Sequence, residues 1–272
     1  MRNSYIVYII LVFHFSCTNS ETKLFEKLSS FRTGIDFENN LTFKEDFNIF
    51  TYRNYYNGGG VGLGDINNDG LLDIYFTSNL NKNKLYLNKG DFQFEDITDV
   101  AGVGGEKSWS TGVSLADINA DGFLDIYVSV AGLDGVKNNE LYVNNKDNTF
   151  TEMAKEYGID DIGNSVQATF FDYDKDGDLD LYVANYPMTP FDAPRSYYYY
   201  KMQNSGDFET DNLYRNDGAT FTRVTEEAGL RTYGLTLSAT VGDLNNDSYP
   251  DLYISNDFSS PDFMYMNNGD GT

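Results

Sequence analysis

A nine-residue acidic pattern occurs four times in this chain, and no other feature narrows the possible folds as far. The copies read DINNDGLLD (65–73), DINADGFLD (117–125), DYDKDGDLD (172–180) and DLNNDSYPD (243–251). Each has oxygen-bearing side chains at positions 1, 3, 5 and 9, and the first three copies have glycine at position 6. A hard cation such as Ca²⁺ takes six to eight oxygen ligands, which alternate acidic positions in a tight loop can supply. The pattern therefore predicts metal loops. In the first, the side-chain ligands are Asp65, Asn67, Asp69 and Asp73, with the backbone carbonyl of Leu71. The second set is Asp117, Asn119, Asp121, Asp125 and the carbonyl of Phe123; the third is Asp172, Asp174, Asp176, Asp180 and the carbonyl of Asp178. The fourth is Asp243, Asn245, Asp247, Asp251 and the carbonyl of Tyr249. Gly70, Gly122 and Gly177 suit a sharp turn because glycine accepts positive φ without strain. The fourth copy has Ser248 there and Pro250 two residues on, so its site is expected to be the weakest, or empty.

An EF-hand begins in the same way but needs a glutamate at position 12 and a helix on each side. Position 12 here is Phe76, Val128, Val183 and Ile254, within the runs DIYF, DIYV, DLYV and DLYI, which have the composition of strands. Strand-like segments also precede the loops: VGLG, VSLA, ATFF and ATVG. Downstream come KLYLNKGDFQFEDIT, ELYVNNKDNTFTEMA and NLYRNDGATFTRVT, each reading as a hairpin about an Asn/Asp/Gly turn, and then FMYMNNGDGT. Short tags, DVAGV, KEYGI and EEAGL, close the first three units. The loops begin at 65, 117, 172 and 243, giving intervals of 52, 55 and 71 residues. A period near fifty points to a propeller or solenoid. Four strands per unit without a long helical period predict an all-β fold, a β-propeller of four-stranded blades with about four blades present. Tyr75, Tyr127, Tyr182 and Tyr253 hold one position of the repeat and Tyr86, Tyr142, Tyr214 and Tyr265 another; these rings are expected to fill the space between blades.

On these loops and hairpins, with the lead-in YYNGGGVGLGDINNDG and the SNDF at Ser255–Phe258, the chain resembles the FG-GAP/VCBS repeat superfamily, the integrin-type calcium propellers. More narrowly it resembles the cartilage acidic protein family with its ASPIC/UnbV domain, as found in bacterial envelope proteins. The resemblance covers about residues 25–272 and includes no ASPIC/UnbV domain. It implies Ca²⁺ in the loops. It also implies more blades than four, hence a propeller truncated at the C-terminus, because the fourth unit reaches Thr272 before its last strand. Phe25–Ile35 (FEKLSSFRTGI) is similar to that missing closing segment and is expected to pair with a blade further downstream.

The N-terminus begins with Arg2 and an eleven-residue apolar stretch, Tyr5–Phe15, followed by the only cysteine, Cys17. The stretch is too short to span a bilayer and right for the apolar region of a signal peptide. It resembles a bacterial lipoprotein signal, in which cleavage leaves a lipidated cysteine. Residues 1–16 are therefore expected to be a signal peptide, 17–24 a short tether and 25–272 the propeller. This organisation predicts an exported protein, on the outer membrane or cell surface as a lipoprotein, otherwise periplasmic or secreted, touching the membrane only through its lipid.

The net charge of −23, from 19 basic against 42 acidic residues, disfavours nucleic acid as a partner. The sole histidine, His14, lies in the expected signal, so the mature chain would lack the groups for Ser-His-Asp, Cys-His and His-metal chemistry. The expected function is a non-catalytic calcium-binding scaffold for a glycan or protein ligand at the cell surface. The alternative is a polysaccharide lyase or glycosidase acting through paired carboxylates. The third interval is long because of an insertion, Tyr186–Asp211, which holds three of the five prolines and the run Tyr197, Tyr198, Tyr199 and Tyr200. Irregular loops on rigid scaffolds often carry function, and exposed tyrosines stack on sugars or anchor partners, so these four are the candidate ligand residues.

Overall fold

The computed structural model describes residues 23–105, 109–132, 138–258 and 260–271. The expected signal peptide and Cys17 lie outside the described residues, as does most of the tether. The β-branched and aromatic runs on either side of each acidic loop pair with one another as hairpins. In the first blade β1 (Val61–Gly64), β2 (Asp73–Phe76), β3 (Lys84–Asn88) and β4 (Phe94–Asp96) form an antiparallel sheet in chain order. The second blade has β5 (Ser110–Ala116), β6 (Asp125–Val130), β7 (Glu140–Asn144) and β8 (Phe150–Glu152), and the third β9 (Ser165–Phe171), β10 (Asp180–Asn185), β11 (Asn212–Asn216) and β12 (Phe221–Arg223). The fourth sheet contains three strands, β13 (Thr236–Gly242), β14 (Asp251–Asn256) and β15 (Phe263–Tyr265). The register is the same each time: the last residue of the first strand pairs with the position-9 aspartate, as Gly64↔Asp73, Ala116↔Asp125, Phe171↔Asp180 and Gly242↔Asp251. Each acidic loop is thus the turn of the innermost hairpin.

The blades bury their faces against one another. Three apolar clusters lie at successive blade contacts, built around Ile126 and Val128, then Leu141 and Leu181, then Leu213 and Ile254. Tyr75, Tyr127 and Tyr182 are almost wholly buried among them. Burial of a tyrosine requires a partner for its hydroxyl; Tyr75 donates to the Val103 carbonyl at 2.6 Å and Tyr127 to that of Ile159 at 2.8 Å, both in the closing tags. Tyr253, on the fourth sheet, is 44% exposed. Neighbouring inner strands approach closely: a Cβ on Gly112 would meet the Val166 carbonyl at 2.6 Å, which explains glycine at that point of β5.

The first two closing tags contain single helical turns, α2 (Thr98–Ala101) and α3 (Ala154–Tyr157), each ended by a glycine at φ 75°. Residues 25–35 make no strand pairing. Their core is a matching turn, α1 (Ser30–Thr33), ended by Gly34 at φ 78°. Gly34 rests on the Phe94 carbonyl of the first blade much as Gly158 rests on that of Phe221 in the third. The segment therefore occupies the place of a tag before the first blade, and the expected strand pairing with a later blade is not seen among the described residues.

The insertion joins β10 to β11 and contains a helix, α4 (Arg195–Asn204), where an irregular loop was expected. Pro194 precedes it, Ser205-Gly206 follows, and no glycine, proline or β-branched residue interrupts it. Those are ordinary helix bounds, masked in the sequence by four tyrosines of middling helix propensity.

Candidate metal centres and ligand surface

The four acidic loops share one internal hydrogen-bond scheme. The position-1 aspartate accepts from the backbone N–H of position 6, as from Gly70 to Asp65 (2.7 Å), Gly122 to Asp117 (2.8 Å), Gly177 to Asp172 (3.1 Å) and Ser248 to Asp243 (2.9 Å). The position-5 N–H bonds to the side-chain oxygen of position 3 in every copy. The position-7 N–H bonds to that of position 5. These bonds curl the chain so that positions 1, 3 and 5 face one point. In the third loop Asp172, Asp174 and Asp176 offer oxygens all within 4.8 Å of one another. Burial and the charge of Asp176 push the Asp174 carboxyl upward.

One atom tests whether a cation fits. Asp172 Oδ1 is buried and has no hydrogen-bond partner. A buried, unpaired carboxylate oxygen beside two further carboxylates is costly; a divalent cation there would satisfy it and offset the repulsion. The donor set, all oxygen, suits Ca²⁺.

The position-9 aspartates have a second task that their spacing did not reveal. Asp73, Asp125, Asp180 and Asp251 are buried beneath their loops. Each accepts the N–H of position 2 on Oδ2 (from Ile66, Ile118, Tyr173 and Leu244) and the N–H of the β3-type asparagine on Oδ1 (from Asn88, Asn144, Asn216 and Asn267). They staple loop to sheet, with lone pairs left for a metal. Burial raises the Asp125 carboxyl to about 6 and that of Asp180 to about 7.

The same asparagines link neighbouring loops. Asn144 Nδ2 donates to the Leu124 carbonyl of its own loop (3.1 Å) and to the Ile66 carbonyl of the preceding one (2.8 Å). Asn216 bridges Leu179 and Ile118, and Asn267 bridges Pro250 and Tyr173. The loops are therefore a coupled series. The asparagine recurs in the repeat, as LYxN in three copies and MYMN in the fourth, but its partner is a whole unit away in the chain.

Position 4 also adopts positive φ, at Asn68, Ala120, Lys175 and Asn246. Position 6 does so as expected, at 86° to 100° for the glycines and 73° for Ser248. A Cβ on Gly70, Gly122 or Gly177 would meet nothing within 4 Å, so the preference for glycine there is purely backbone. The fourth loop keeps the shared bonds and carries this strain. Ser248→Gly is expected to raise stability by about 0.5–1 kcal/mol, the left-handed penalty less the entropy of the added glycine. A thermal melt of the variant beside the parent checks it; an unchanged or lower midpoint would contradict the strain.

The tyrosine run divides. Tyr198 is buried with Tyr186, Tyr233 and Leu235, and Tyr197 packs beside it, while Tyr199 and Tyr200 are 58% and 63% exposed. Two of the four candidate ligand residues therefore pack the insertion onto its blade, and two face solvent. The metal loops follow the first strand of each blade, and the insertion follows the second, so the two features sit at opposite ends of the sheets.

The FG-GAP-like repeat model matches residues 65–128, 129–183 and 197–254. Cartilage acidic protein 1 of Xenopus tropicalis is 42% identical over 74 residues, 27% of this chain and 11% of that protein. Its Homo sapiens counterpart is 39% identical over 72 residues, 26% of this chain and 11% of that protein. The matched segment thus spans about a tenth of these relatives. Among solved structures, an Agrocybe aegerita lectin described as recognising non-reducing terminal N-acetylglucosamine aligns with TM-score 0.44 and 18% identity, over 78% of this chain and 50% of that one. With three matched repeats covering more than half of its length, the chain belongs to the FG-GAP-like repeat family.

Proposed function

We propose that this protein is a calcium-stabilised, non-catalytic propeller scaffold that binds a glycan or protein ligand at the bacterial cell envelope. The observation that carries the calcium reading is the third loop, where three carboxylates converge and one buried oxygen is unpaired. Ca²⁺ would be held there by Asp172, Asp174 and Asp176, and at the other loops by the oxygens in the same positions. It would supply charge neutralisation and a rigid turn, and no bond-making chemistry. The family's repeats support a binding role. Attachment through Cys17 rests on the apolar stretch before it; incorporation of a palmitate analogue, lost in Cys17→Ser, would read it.

Calorimetric titration of Ca²⁺ into chelator-treated protein tests the central claim. Saturable binding is expected, with one site fewer in Asp172→Ala. Absence of heat and of competition by a lanthanide would overturn it.

A further inference from the structure

The turn α1 and the three closing tags can be laid on one another by their last glycine, Gly34, Gly102, Gly158 and Gly229, each at positive φ. Three residues before that glycine stand Phe31, Asp99, Lys155 and Glu226, and two before it Arg32, Val100, Glu156 and Glu227. Only the first turn has an aromatic residue followed by a base. The fold does not call for that phenylalanine, which is 99% exposed. The outer hairpin of the first blade departs from the repeat in the same way. Phe92 and Asn148 hold matching places in the turns after β3 and β7, both at positive φ. That conformation favours asparagine over a bulky residue, and Phe92 is 61% exposed.

These two departures meet. Gln93 Nε2 donates to the Arg32 carbonyl, and the Arg32 guanidinium lies 3.6 Å from Glu26. Just before Glu26, Leu24 and Phe25 are 95% and 89% exposed. The sign of the charge changes here as well. Residues 23–34 hold three bases and one acid, net +2, so the rest of the chain carries −25 (−23 − 2). The acid is Glu26, already paired with Arg32, while Lys23 and Lys27 form no ion pair among the described residues.

Exposed apolar side chains beside unpaired bases suit the surface of a bilayer, where rings enter the headgroup layer and bases face lipid phosphate. Lys23 is six residues past Cys17, the proposed site of acylation, so the patch starts no more than about 20 Å from it, the reach of six extended residues. We propose that this face of the first blade docks on an anionic lipid bilayer. The proposal deepens the envelope reading above and rests on it. One acyl chain alone attaches a protein reversibly, and a second contact makes attachment stable. This contact would also orient the blades. β3 ends at the metal-loop end of its sheet, where the Asn88 N–H reaches Asp73, so Phe92 lies at that end. Docking would turn the insertion, with Tyr199 and Tyr200, away from the lipid.

Brominated acyl chains test this directly, because bromine quenches only an indole in contact with it. The exported protein carrying Phe31→Trp is mixed with phosphatidylethanolamine–phosphatidylglycerol vesicles brominated in this way. Trp109 is 2% exposed, so the parent supplies the background. Quenching of the new indole is expected, with none for Tyr199→Trp. It should fall roughly threefold when Lys23→Glu and Lys27→Glu are added, or when the vesicles are phosphatidylcholine alone. Protein that floats with the vesicles while position 31 stays unquenched overturns the docked face and leaves the anchor. Protein that neither floats nor takes up the palmitate analogue removes both. Quenching that ignores the charge reversals, or that equals the signal of Tyr199→Trp, also overturns the proposal. So does shielding of position 31 by an envelope protein extract and not by vesicles, which would assign the face to a protein partner.

Discussion

Moved from 1 mM Ca²⁺ into excess EGTA, the protein is expected to melt on the order of 10 °C lower. A site with a Kd near 0.1 mM contributes about 1.4 kcal/mol at that calcium concentration, and three such sites about 4 kcal/mol, the weaker fourth loop adding less. For a domain of this size each kcal/mol moves the midpoint by roughly 2–4 °C. The physical origin is local. Thirteen carboxylates occupy the side-chain ligand positions of the loops, and at least one of their oxygens is buried with no partner. Without a cation they repel at short range. The effect should also spread, because Asn144, Asn216 and Asn267 each hold carbonyls of two consecutive loops. Calcium removal should therefore lower the whole transition, with no separate early step for one blade. Superimposable melts in calcium and in EGTA would refute the proposed role of the loops.

Asp211→Asn should stabilise the protein at pH 8 by up to about 3 kcal/mol. Asp211 is fully buried, and desolvation raises its carboxyl from 3.8 to about 6, with the nearby charge of Asp161 adding to the rise and its hydrogen bonds opposing it. That shift corresponds to about 3 kcal/mol at 1.36 kcal/mol per unit. The sign follows from the direction: the folded state holds this proton more tightly than the unfolded chain does. The group's contribution is thus most favourable below pH 4 and is lost as pH rises through about 4 to 6. The second blade shows that asparagine fits. There Asn139 accepts the Val130 N–H and donates to the Tyr127 and Ser165 hydroxyls. Asp211 holds the equivalent groups, accepting from the Asn185 N–H and from the Tyr182 and Thr236 hydroxyls. Hydroxyls can turn to accept from an amide, so the substitution removes a buried charge at the cost of the acceptor for the Tyr182 hydroxyl proton, which makes about 3 kcal/mol the upper bound. Melts of both proteins between pH 4 and pH 8 should diverge as pH rises. A variant less stable than the parent at pH 8, or a difference that ignores pH, would contradict the argument.

The repeat, the loops and the strands around them were legible in the bare chain because their signals are local. A loop of alternating oxygens with glycine at position 6 describes its own turn, and DIYV or DLYV carries its own strand preference. The shared position of Tyr75, Tyr127 and Tyr182 likewise announced burial, and those rings are buried. Local propensity also had a limit: the four tyrosines hid a ten-residue helix, and its 3.6-residue turn, not the run itself, decides that Tyr198 faces inward and Tyr199 outward.

Other features depend on contacts between residues far apart in sequence, and no window along the chain contains them. The spacing of the position-9 aspartates points to metal alone, and their second task, holding the N–H groups of position 2 and of the distant asparagines, appears only when loop and sheet meet. Asn144 is a turn residue until Ile66, 78 positions earlier, lies against it. Arg53 and Phe191 are unremarkable alone, and meet, guanidinium 4.7 Å from ring centroid, only when residues 50–54 and the insertion pack together. Spacing of donors along the backbone thus specifies which groups can hold a cation and which segments can pair, since both are short-range choices. Which buried acids go without a counterion, and which distant polar groups become hydrogen-bond partners, is set by the packing of whole blades, because desolvation depends on everything that surrounds a group in space.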